Sequence, residues 1–206
     1  ENRVSAEENS GQGIIHAVMG PRAAGKTTLV DCLENSLPDM YKVVRAVGRE
    51  PREYEIQGED HLFLPDDYIN GQDWIKYRHR GGYWVGIDGH NIDNNLEKGN
   101  DVLLTLARAD SYHSFKELYP GINPLMVLCK PEDLEQRTKR RDSLPETLEE
   151  SKRDYRDCLQ FALDNSIPII YNHEPWFNPY SPSYSTTFEE FRAVSDLVKK
   201  GKKFIR

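Results

Sequence analysis

The residues with the clearest chemical meaning form one run, Gly20–Thr27, with the sequence GPRAAGKT. Its spacing fits G-x-x-x-x-G-K-[ST], the pattern of a loop that wraps around phosphate groups. Gly20 and Gly25 permit tight turns, and backbone N–H groups at the start of a following helix point at phosphate oxygens. Lys26 is placed to reach the terminal phosphates, and the Thr27 hydroxyl to hold Mg²⁺. The run therefore predicts a site for ATP with Mg²⁺.

The loop indicates phosphate binding and leaves the reaction open, because kinases and GTPases share it. A GTPase would need a base-reading N-K-x-D motif, and the sequence contains none. We therefore interpret the chain as a kinase. The residues expected to contact the nucleotide are Gly20, Pro21, Arg22, Ala23, Ala24, Gly25, Lys26, Thr27 and Thr28.

The composition argues against several partners and sites. Among 206 residues, 27 Lys and Arg stand against 34 Asp and Glu, a net charge of −7, which disfavours nucleic acid as a partner. No stretch reaches the roughly 18 apolar residues of a membrane span, so no membrane partner is expected. Cys32, Cys129 and Cys158 are widely spaced and odd in number, which predicts reduced core thiols and a cytoplasmic protein. The six histidines show no metal-ligand spacing.

Strands and helices alternate along most of the chain, which predicts an α/β fold with a central parallel sheet. Ligands of such sheets bind at the carboxyl ends of the strands. The region from about 45 to 90 interrupts the alternation and is interpreted as a small acceptor-binding lobe. The predicted strands are 13–19, 41–47, 83–85, 102–106, 125–129 and 167–171. The predicted helices are 26–36, 88–98, 109–118, 131–139 and 145–164, with 49–63 irregular and 64–77 partly helical.

Three parts are expected along the chain. Residues 1–12 are polar and acidic, with no apolar core of a secretory signal, and are predicted to be a disordered lead-in. Residues 13–175 form the kinase domain. Residues 176–206 are a C-terminal extension in which apolar residues recur at helical spacing and predict a helix.

The order of segments resembles the guanylate kinase superfamily over about residues 13–175. The matching segments are GPRAAGKTTL at 20–29, REPR at 49–52, GEDHLF at 58–63, GYWVG at 82–86, DVLL at 101–104, PEDL at 131–134 and IIYN at 169–172. The resemblance implies a P-loop kinase fold with a small acceptor-binding lobe and a mobile lid at about 137–153. It further implies that Arg137 and Arg141 of the lid neutralise charge on the transferred group, and that Asn172 lies near adenine. Arg49 and Arg52 are expected to hold an acceptor phosphate.

The chain departs from this superfamily at the positions that contact the acceptor. Ala46-Val47-Gly48 stands before Arg49 where the superfamily has Ser-Thr-Thr. Its phosphate-binding Tyr falls on His61, and its guanine-reading Glu on Lys76. This chain also has Ile87 where the superfamily has a Ser that contacts guanine. Thr105 and Ala107 stand where the superfamily has acidic residues after the central strand.

At these positions the chain resembles the ribose 1,5-bisphosphate phosphokinases of the same superfamily. The segments 59–62 (EDHL), 79–82 and 107–109 (ARA) carry this similarity. A sugar bisphosphate requires cations more than base-reading groups, and Arg49, Arg52, Lys76, Arg78 and Arg108 are cationic. The expected acceptor-binding residues are Arg49, Arg52, His61, Lys76 and Arg108.

The sequence thus predicts transfer of the ATP γ-phosphoryl group to a small phosphorylated acceptor resembling ribose 1,5-bisphosphate. Two alternatives stay open: a nucleoside monophosphate kinase of the guanylate type or a kinase of modified nucleotides or nucleic-acid hydroxyls, and a non-catalytic binding module. Lys26 and Thr27 argue against the last. Tyr77, Tyr83 and Trp84 either line an acceptor pocket or belong to the core.

Overall fold

The computed structural model describes residues 13–53, 55–79, 81–106, 109–141 and 145–172, and for residues 109, 110 and 141 the backbone alone. The predicted lead-in at 1–12, the extension at 176–206, Arg108 and the Arg141 side chain lie outside the described residues. The chain divides into two compact units. Among the described residues, the P-loop unit contains Ile15–Met40 and those from Leu103 to Asn172, and the small-sheet unit contains Gly13, Ile14 and those from Tyr41 to Val102.

Fifteen helices and strands make up the described residues. In chain order they are β1 Ile15–Met19, α1 Lys26–Ser36, β2 Met40–Lys42, β3 Ala46–Val47, β4 Leu62–Phe63, α2 Asp66–Gly71, β5 Ile75–Arg78, β6 Trp84–Ile87, α3 Gly89–Glu97, β7 Asp101–Leu106, α4 Ala109–Leu118, β8 Asn123–Cys129, α5 Pro131–Arg141, α6 Pro145–Asp164 and β9 Ile169–Asn172.

The larger sheet has the strand order β2-β7-β1-β8-β9. Strands β1, β8 and β9 run parallel, with Val18 opposite Leu125 and Met126 opposite Ile169. These strands are almost continuously apolar, because helices cover a parallel sheet on both faces. Parallel strands end at one edge, so the loop after β1, the start of α5 after β8 and the end of β9 all lie at the carboxyl edge. The predicted α/β fold with a central parallel sheet is confirmed.

The packing of helix α1 explains how the phosphate-binding loop is held in place. Leu29, Val30 and Leu33 recur at helical spacing and are buried against Val18, Leu103 and Val127 of the sheet. Burying a Leu or Val side chain stabilises a fold by about 1.5–3 kcal/mol. The first turn of the helix is thereby fixed directly after β1, with its free N–H groups at the carboxyl edge.

The smaller sheet has the order β4-β3-β6-β5 and two distinct faces. Residues that lie directly opposite each other on neighbouring strands have their side chains on the same face of the sheet. The strand register therefore shows which residues share a face. Val47, Phe63, Val85 and Tyr77 belong to one face, which we call the arginine face because Arg49 packs there over Phe63. Ala46, Leu62, Gly86 and Lys76 belong to the other. A Cβ at Gly86 would lie 2.7 Å from Trp74 and 2.9 Å from Ile69, so α2 covers this second face, the α2 face.

Two predictions in this region are wrong. The predicted strand 41–47 is two strands, β2 in the larger sheet and β3 in the smaller one. The predicted irregular stretch 49–63 ends in a strand, β4. The stretch 64–77 is partly helical as predicted, with α2 followed by β5. In contrast, the predicted helices 26–36, 109–118 and 145–164 have the observed bounds.

Candidate functional site

The phosphate-binding loop connects β1 to α1 through backbone conformations that favour glycine. Gly20 has φ +148° and Gly25 has φ +102°, a region that L side chains rarely adopt. A Cβ on Gly25 would also collide with the side-chain amide of Asn172. Both glycines of the motif are therefore required by the loop conformation.

Lys26 is the first residue of α1, and its ammonium turns back over the loop. Its Nζ donates hydrogen bonds to the carbonyl oxygens of Gly20 and Pro21, each at 2.8 Å. The side chain is half-buried, whereas Thr27 beside it is exposed. The loop thus holds the cation beside the helix N-terminus, where phosphate oxygens bind.

Asn172 ends β9 and joins that strand to the loop. Its Nδ2 donates to the carbonyl oxygen of Ala24 at 2.9 Å, and the residue is 4% exposed. Its Oδ1 is buried and has no hydrogen-bond partner among the described residues. A buried acceptor without a partner costs about 1–3 kcal/mol, which a ligand amino group would relieve. This geometry suits the adenine contact expected from the sequence.

Arg137 reaches the same edge of the sheet. Cys129, the last residue of β8, is buried with Ala23 of the loop and Leu134 of α5. Burial raises the pKa of the Cys129 thiol, while the nearby charges of Arg137 and Lys26 oppose that rise. Both cations therefore lie within electrostatic range of one thiol, as a site for polyphosphate requires.

The cysteine thiols in this unit are chemically quiet. Burial raises the pKa of Cys32 and of Cys158 to about 11. Such thiols are almost wholly protonated at neutral pH and are poor nucleophiles. The structure thus fits the predicted role of the cysteines as core residues.

The small-sheet unit holds a cluster of arginines around one carboxylate. Arg49 donates from both terminal nitrogens to Glu55, at 2.6 and 2.8 Å. Arg52 donates to Glu55 from its backbone N–H at 2.9 Å and from its guanidinium at 3.1 Å. Burial alone would raise the pKa of Glu55, but the hydrogen bonds from Arg49 and Arg52 outweigh it and lower the pKa to about 2. We call Arg49, Arg52 and Glu55 the arginine cluster.

His61 lies beside the arginine cluster as a neutral imidazole. Burial lowers its pKa to about 3, with further lowering by Arg45 and Arg49. Its ring packs edge-on against Phe63, with ring centroids 5.8 Å apart. The Nδ1 of His61 and the Nε of Arg49 are both buried and lack a partner among the described residues. The Nε–H of Arg49 is thus a donor that an entering anion would satisfy.

Lys76 and Arg78 lie away from this cluster, on the α2 face. The Nζ of Lys76 donates to the carbonyl oxygens of Asn70 and Gln72, both at 2.6 Å. Arg78 pairs with Asp66 at 3.3 Å and lies over the Trp84 ring. The structure therefore brings together Arg49, Arg52 and His61 of the predicted acceptor residues, and does not bring Lys76 to them. Lys76 satisfies the carbonyls at the end of α2.

Replacing Lys76 tests this placement. We expect Lys76→Ala to lower the free energy of unfolding by about 1–2 kcal/mol, because two carbonyls lose a charged donor. The KM for the acceptor should change less than about twofold, a factor worth roughly 0.4 kcal/mol. Denaturant unfolding and steady-state kinetics measure the two quantities. A tenfold rise in acceptor KM at unchanged stability would instead return Lys76 to the acceptor site.

Sequence reasoning missed two residues that the structure places at the arginine cluster. Glu55 accepts hydrogen bonds from both Arg49 and Arg52. Arg45 lowers the pKa of His61 and donates a hydrogen bond to the Tyr77 hydroxyl at 3.3 Å. Alternate residues of a strand share a face, so the spacing of Arg45, Val47 and Arg49 in the sequence already indicated that Arg45 lies on the same face as Arg49.

No cluster of three or more His, Cys, Asp or Glu residues suited to a metal exists within the described ranges. A magnesium ion would thus be held by the Thr27 hydroxyl, phosphate oxygens and water, as Mg²⁺ commonly is. No helix in the described part of the chain is long and apolar enough to cross a membrane.

Two proteins named guanylate kinase are similar in sequence to this chain. The guanylate kinase of Chlamydia trachomatis serovar D is 28% identical over 183 residues, covering 86% of this chain and 88% of the relative. The guanylate kinase of Caldanaerobacter subterraneus subsp. tengcongensis is 26% identical over 165 residues, covering 77% and 80%.

The fold has a solved counterpart. The crystal structure of guanylate kinase from Anaplasma phagocytophilum matches with a TM-score of 0.66 at 17% identity, covering 95% of this chain and 89% of that chain. A family model described as guanylate kinase matches residues 13–164, well over half of the 206 residues. The chain therefore belongs to the guanylate kinase family.

Proposed function

We propose that this chain transfers the γ-phosphoryl group of ATP to the phosphate of a nucleoside monophosphate, with GMP as the first candidate. As a member of its family the chain is an ATP-dependent phosphotransferase that uses Mg²⁺. Relatives named guanylate kinase favour this acceptor over the ribose 1,5-bisphosphate-like acceptor expected from the sequence.

The arginine cluster, together with Arg45 and His61 beside it, carries the proposal. Arg45, Arg49 and Arg52 all lower the pKa of His61, and Glu55 alone raises it, so these groups together carry a net charge of about +2. A phosphate monoester dianion has the opposite charge and accepts guanidinium hydrogen bonds in pairs. The unpartnered Nε of Arg49 and Nδ1 of His61 add donors or acceptors at the same place. This is the site that we assign to the acceptor phosphate.

The residues of the P-loop unit would hold the donor. Loop N–H groups and Lys26 would bind the β and γ phosphates, and Asn172 would contact adenine. The Thr27 hydroxyl would hold Mg²⁺, which would supply positive charge to the bound phosphates. Arg137 would neutralise charge that develops on the transferred group.

The transfer itself needs little covalent work from the protein. An oxygen of the acceptor phosphate bonds to the γ-phosphorus as the bond to the β-phosphate oxygen breaks, leaving ADP. The acceptor oxygen is already ionised at neutral pH, so no side chain has to remove a proton. Positioning and charge neutralisation supply the rate enhancement.

A ribose 1,5-bisphosphate-like acceptor is the second candidate. Lys76 and Ile87 stand where the superfamily has guanine-reading residues, and the structure places Lys76 on the α2 face and buries Ile87. A carboxylate that would read guanine in the usual manner is therefore missing from these positions. This observation favours an acceptor recognised by cations.

An acceptor panel tests the proposal. ADP release from Mg-ATP is measured with GMP, other nucleoside monophosphates and ribose 1,5-bisphosphate, with Lys26→Ala as the inactive control. We expect turnover with a nucleoside monophosphate that exceeds turnover with ribose 1,5-bisphosphate by at least about tenfold, or 1.4 kcal/mol. The reverse order would replace the proposal by the second candidate. ATP binding without turnover of any acceptor would support a binding module.

A further inference from the structure

Asp133 has a carboxylate oxygen that the fold leaves without a hydrogen-bond donor. The residue belongs to the first turn of α5, the helix that follows β8. Its Oδ2 is buried and has no hydrogen-bond partner among the described residues. A buried acceptor without a donor destabilises a protein, so packing alone does not account for this side chain.

The position of Asp133 in the helix does not account for the buried oxygen either. An acidic side chain in the first helical turn interacts favourably with the helix dipole. Glu132 supplies the same charge in the same turn and is exposed to solvent. Stabilising the helix therefore requires no buried carboxylate oxygen at Asp133, and this oxygen indicates a specific partner.

Asp133 lies near the phosphate-binding loop, at the carboxyl edge of the larger sheet. Cys129, at the end of β8, is buried with Ala23 of the loop. Burial raises the pKa of the Cys129 thiol, Arg137 lowers it, and Asp133 raises it further. Lys26 also lowers this pKa. The carboxylate therefore shares the surroundings of one thiol with the two cations that the proposed function assigns to the donor phosphates.

The chemistry of a carboxylate narrows the choice of partner. An ionised carboxylate has acceptors only, and its charge repels the phosphate oxygens of a nucleotide. Lys26 already donates to the carbonyl oxygens of Gly20 and Pro21. Arg137 has five N–H donors and lies one helical turn after Asp133, at the spacing where an acid and a following base on one helix meet. Arg137 is therefore the donor that fits Asp133.

We propose that Asp133 is a positioning residue, which holds the Arg137 guanidinium beside the donor phosphates during phosphoryl transfer. The assignment rests on the role of Arg137 in the proposed function. A planar guanidinium can donate to a carboxylate from one edge and to phosphate oxygens from another. The structure records no hydrogen bond from Arg137 to the buried Oδ2, so we assign this contact to the complex with ATP. Asp133 touches no reacting atom and acts through Arg137 alone.

The kinetics of Asp133→Ala test the assignment, with Glu132→Ala as the matched control. We expect kcat to fall about tenfold in Asp133→Ala, while the KM values for ATP and for the acceptor change less than about twofold. Asp133→Asn keeps an acceptor oxygen and should lose about threefold, because its hydrogen bond is no longer charge-assisted on both sides. Glu132→Ala removes a charge from the same helical turn and should leave kcat unchanged. Each variant is assayed with the acceptor that the unmodified protein phosphorylates fastest.

A double-mutant cycle separates positioning from a structural role. In an Arg137→Ala background, Asp133→Ala should change kcat less than about twofold, because the group that it positions is absent. A structural role would give the same loss in both backgrounds. Denaturant unfolding shows whether Asp133→Ala is folded, and if it is not, the cycle with Asp133→Asn gives the same comparison.

Three results would overturn the assignment. Equal losses in the two backgrounds would show that Asp133 acts independently of Arg137. An equal loss in Glu132→Ala would assign the effect to the charge of the helical turn. A tenfold rise in the KM for ATP at unchanged kcat would make Asp133 a determinant of donor binding.

The proposed function is tested separately by the acceptor panel. Faster turnover of ribose 1,5-bisphosphate than of any nucleoside monophosphate would overturn the proposed function alone, because Arg137 serves the donor with either acceptor. The cycle would then be measured with that acceptor and would still decide the role of Asp133. No turnover of any acceptor by the unmodified protein would overturn the proposed function and this assignment together.

Discussion

Replacing Lys26 by Ala is expected to lower kcat by at least about 100-fold while leaving the protein folded. Removing one preorganised hydrogen-bond donor that stabilises developing negative charge typically lowers kcat by about 10²- to 10³-fold. The Lys26 ammonium is held over the loop by the carbonyls of Gly20 and Pro21, so it is positioned before any substrate arrives. Steady-state kinetics with the best acceptor of the panel measure the loss.

The pattern of the loss separates catalysis from binding. The kcat should fall more than ATP affinity, because loop N–H groups continue to hold the phosphates. Lys116→Ala is the matched control: this lysine is exposed at the last turn of α4 and contacts the Tyr112 ring. Its kinetics should equal those of the unmodified protein. If Lys26→Ala retained its kcat, the phosphate-binding loop would not be the donor site.

The sequence predicted the P-loop unit well because local and long-range preferences agree there. Helix α1 has an apolar stripe, a glycine-rich entry and buried strands on both sides in the chain. Proline at the start of α5 and α6 marks the first helical turn of each. The position of the candidate site followed from the parallel sheet, since Lys26, Asn172 and Arg137 all lie at the carboxyl edge of the strands.

The small sheet was harder to predict because its strands are short. Strands β3 and β4 are two residues each, too short for any periodic pattern. The run 41–47 contains no glycine or proline, so no local signal marks the change from the larger sheet to the smaller one. Pairing with β4 and β6, which come later in the chain, decides where β3 begins.

The role of Lys76 shows a further limit of sequence reasoning. A cation near a phosphate site invites assignment to the ligand, but a strand places successive side chains on opposite faces. Tyr77 belongs to the arginine face and Lys76 to the α2 face. The face depends on register, and the register is fixed by the pairing of β5 with β6 and by the packing of α2.

Replacing Arg49 by Ala is expected to destabilise the protein by about 3 kcal/mol at pH 7. The Arg49 and Glu55 side chains are only 17% and 6% exposed, and removing one partner of a buried pair leaves an uncompensated charge. Arg52→Ala is the matched control. Its guanidinium makes one 3.1 Å contact with the same carboxylate and its side chain is 38% exposed, so we expect a loss under about 1 kcal/mol.

The pH dependence of this loss identifies its cause. The folded pKa of Glu55 is about 2, below the roughly 4.3 of an unfolded Glu, so the pair stabilises the fold above about pH 4.3. That stabilisation, about 3 kcal/mol for this difference in pKa, is lost as the pH falls towards 2. Without Arg49 only Arg52 opposes the effect of burial on the pKa of Glu55, so the variant has a smaller contribution of this kind to lose. The stability difference between the two proteins should therefore shrink steadily below about pH 4.

Denaturant unfolding of both proteins between pH 3 and pH 7 measures this difference. If Arg49→Ala lost the same amount of stability at pH 3 as at pH 7, the effect would come from packing over Phe63 rather than from the pair with Glu55. In a Glu55→Gln background, Arg49→Ala should cost less, because no buried charge is left behind. Acceptor KM should rise in Arg49→Ala with ATP KM unchanged. A rise in KM together with the pH-dependent stability loss would show that one carboxylate both anchors the fold of the lobe and holds the guanidinium for the acceptor phosphate.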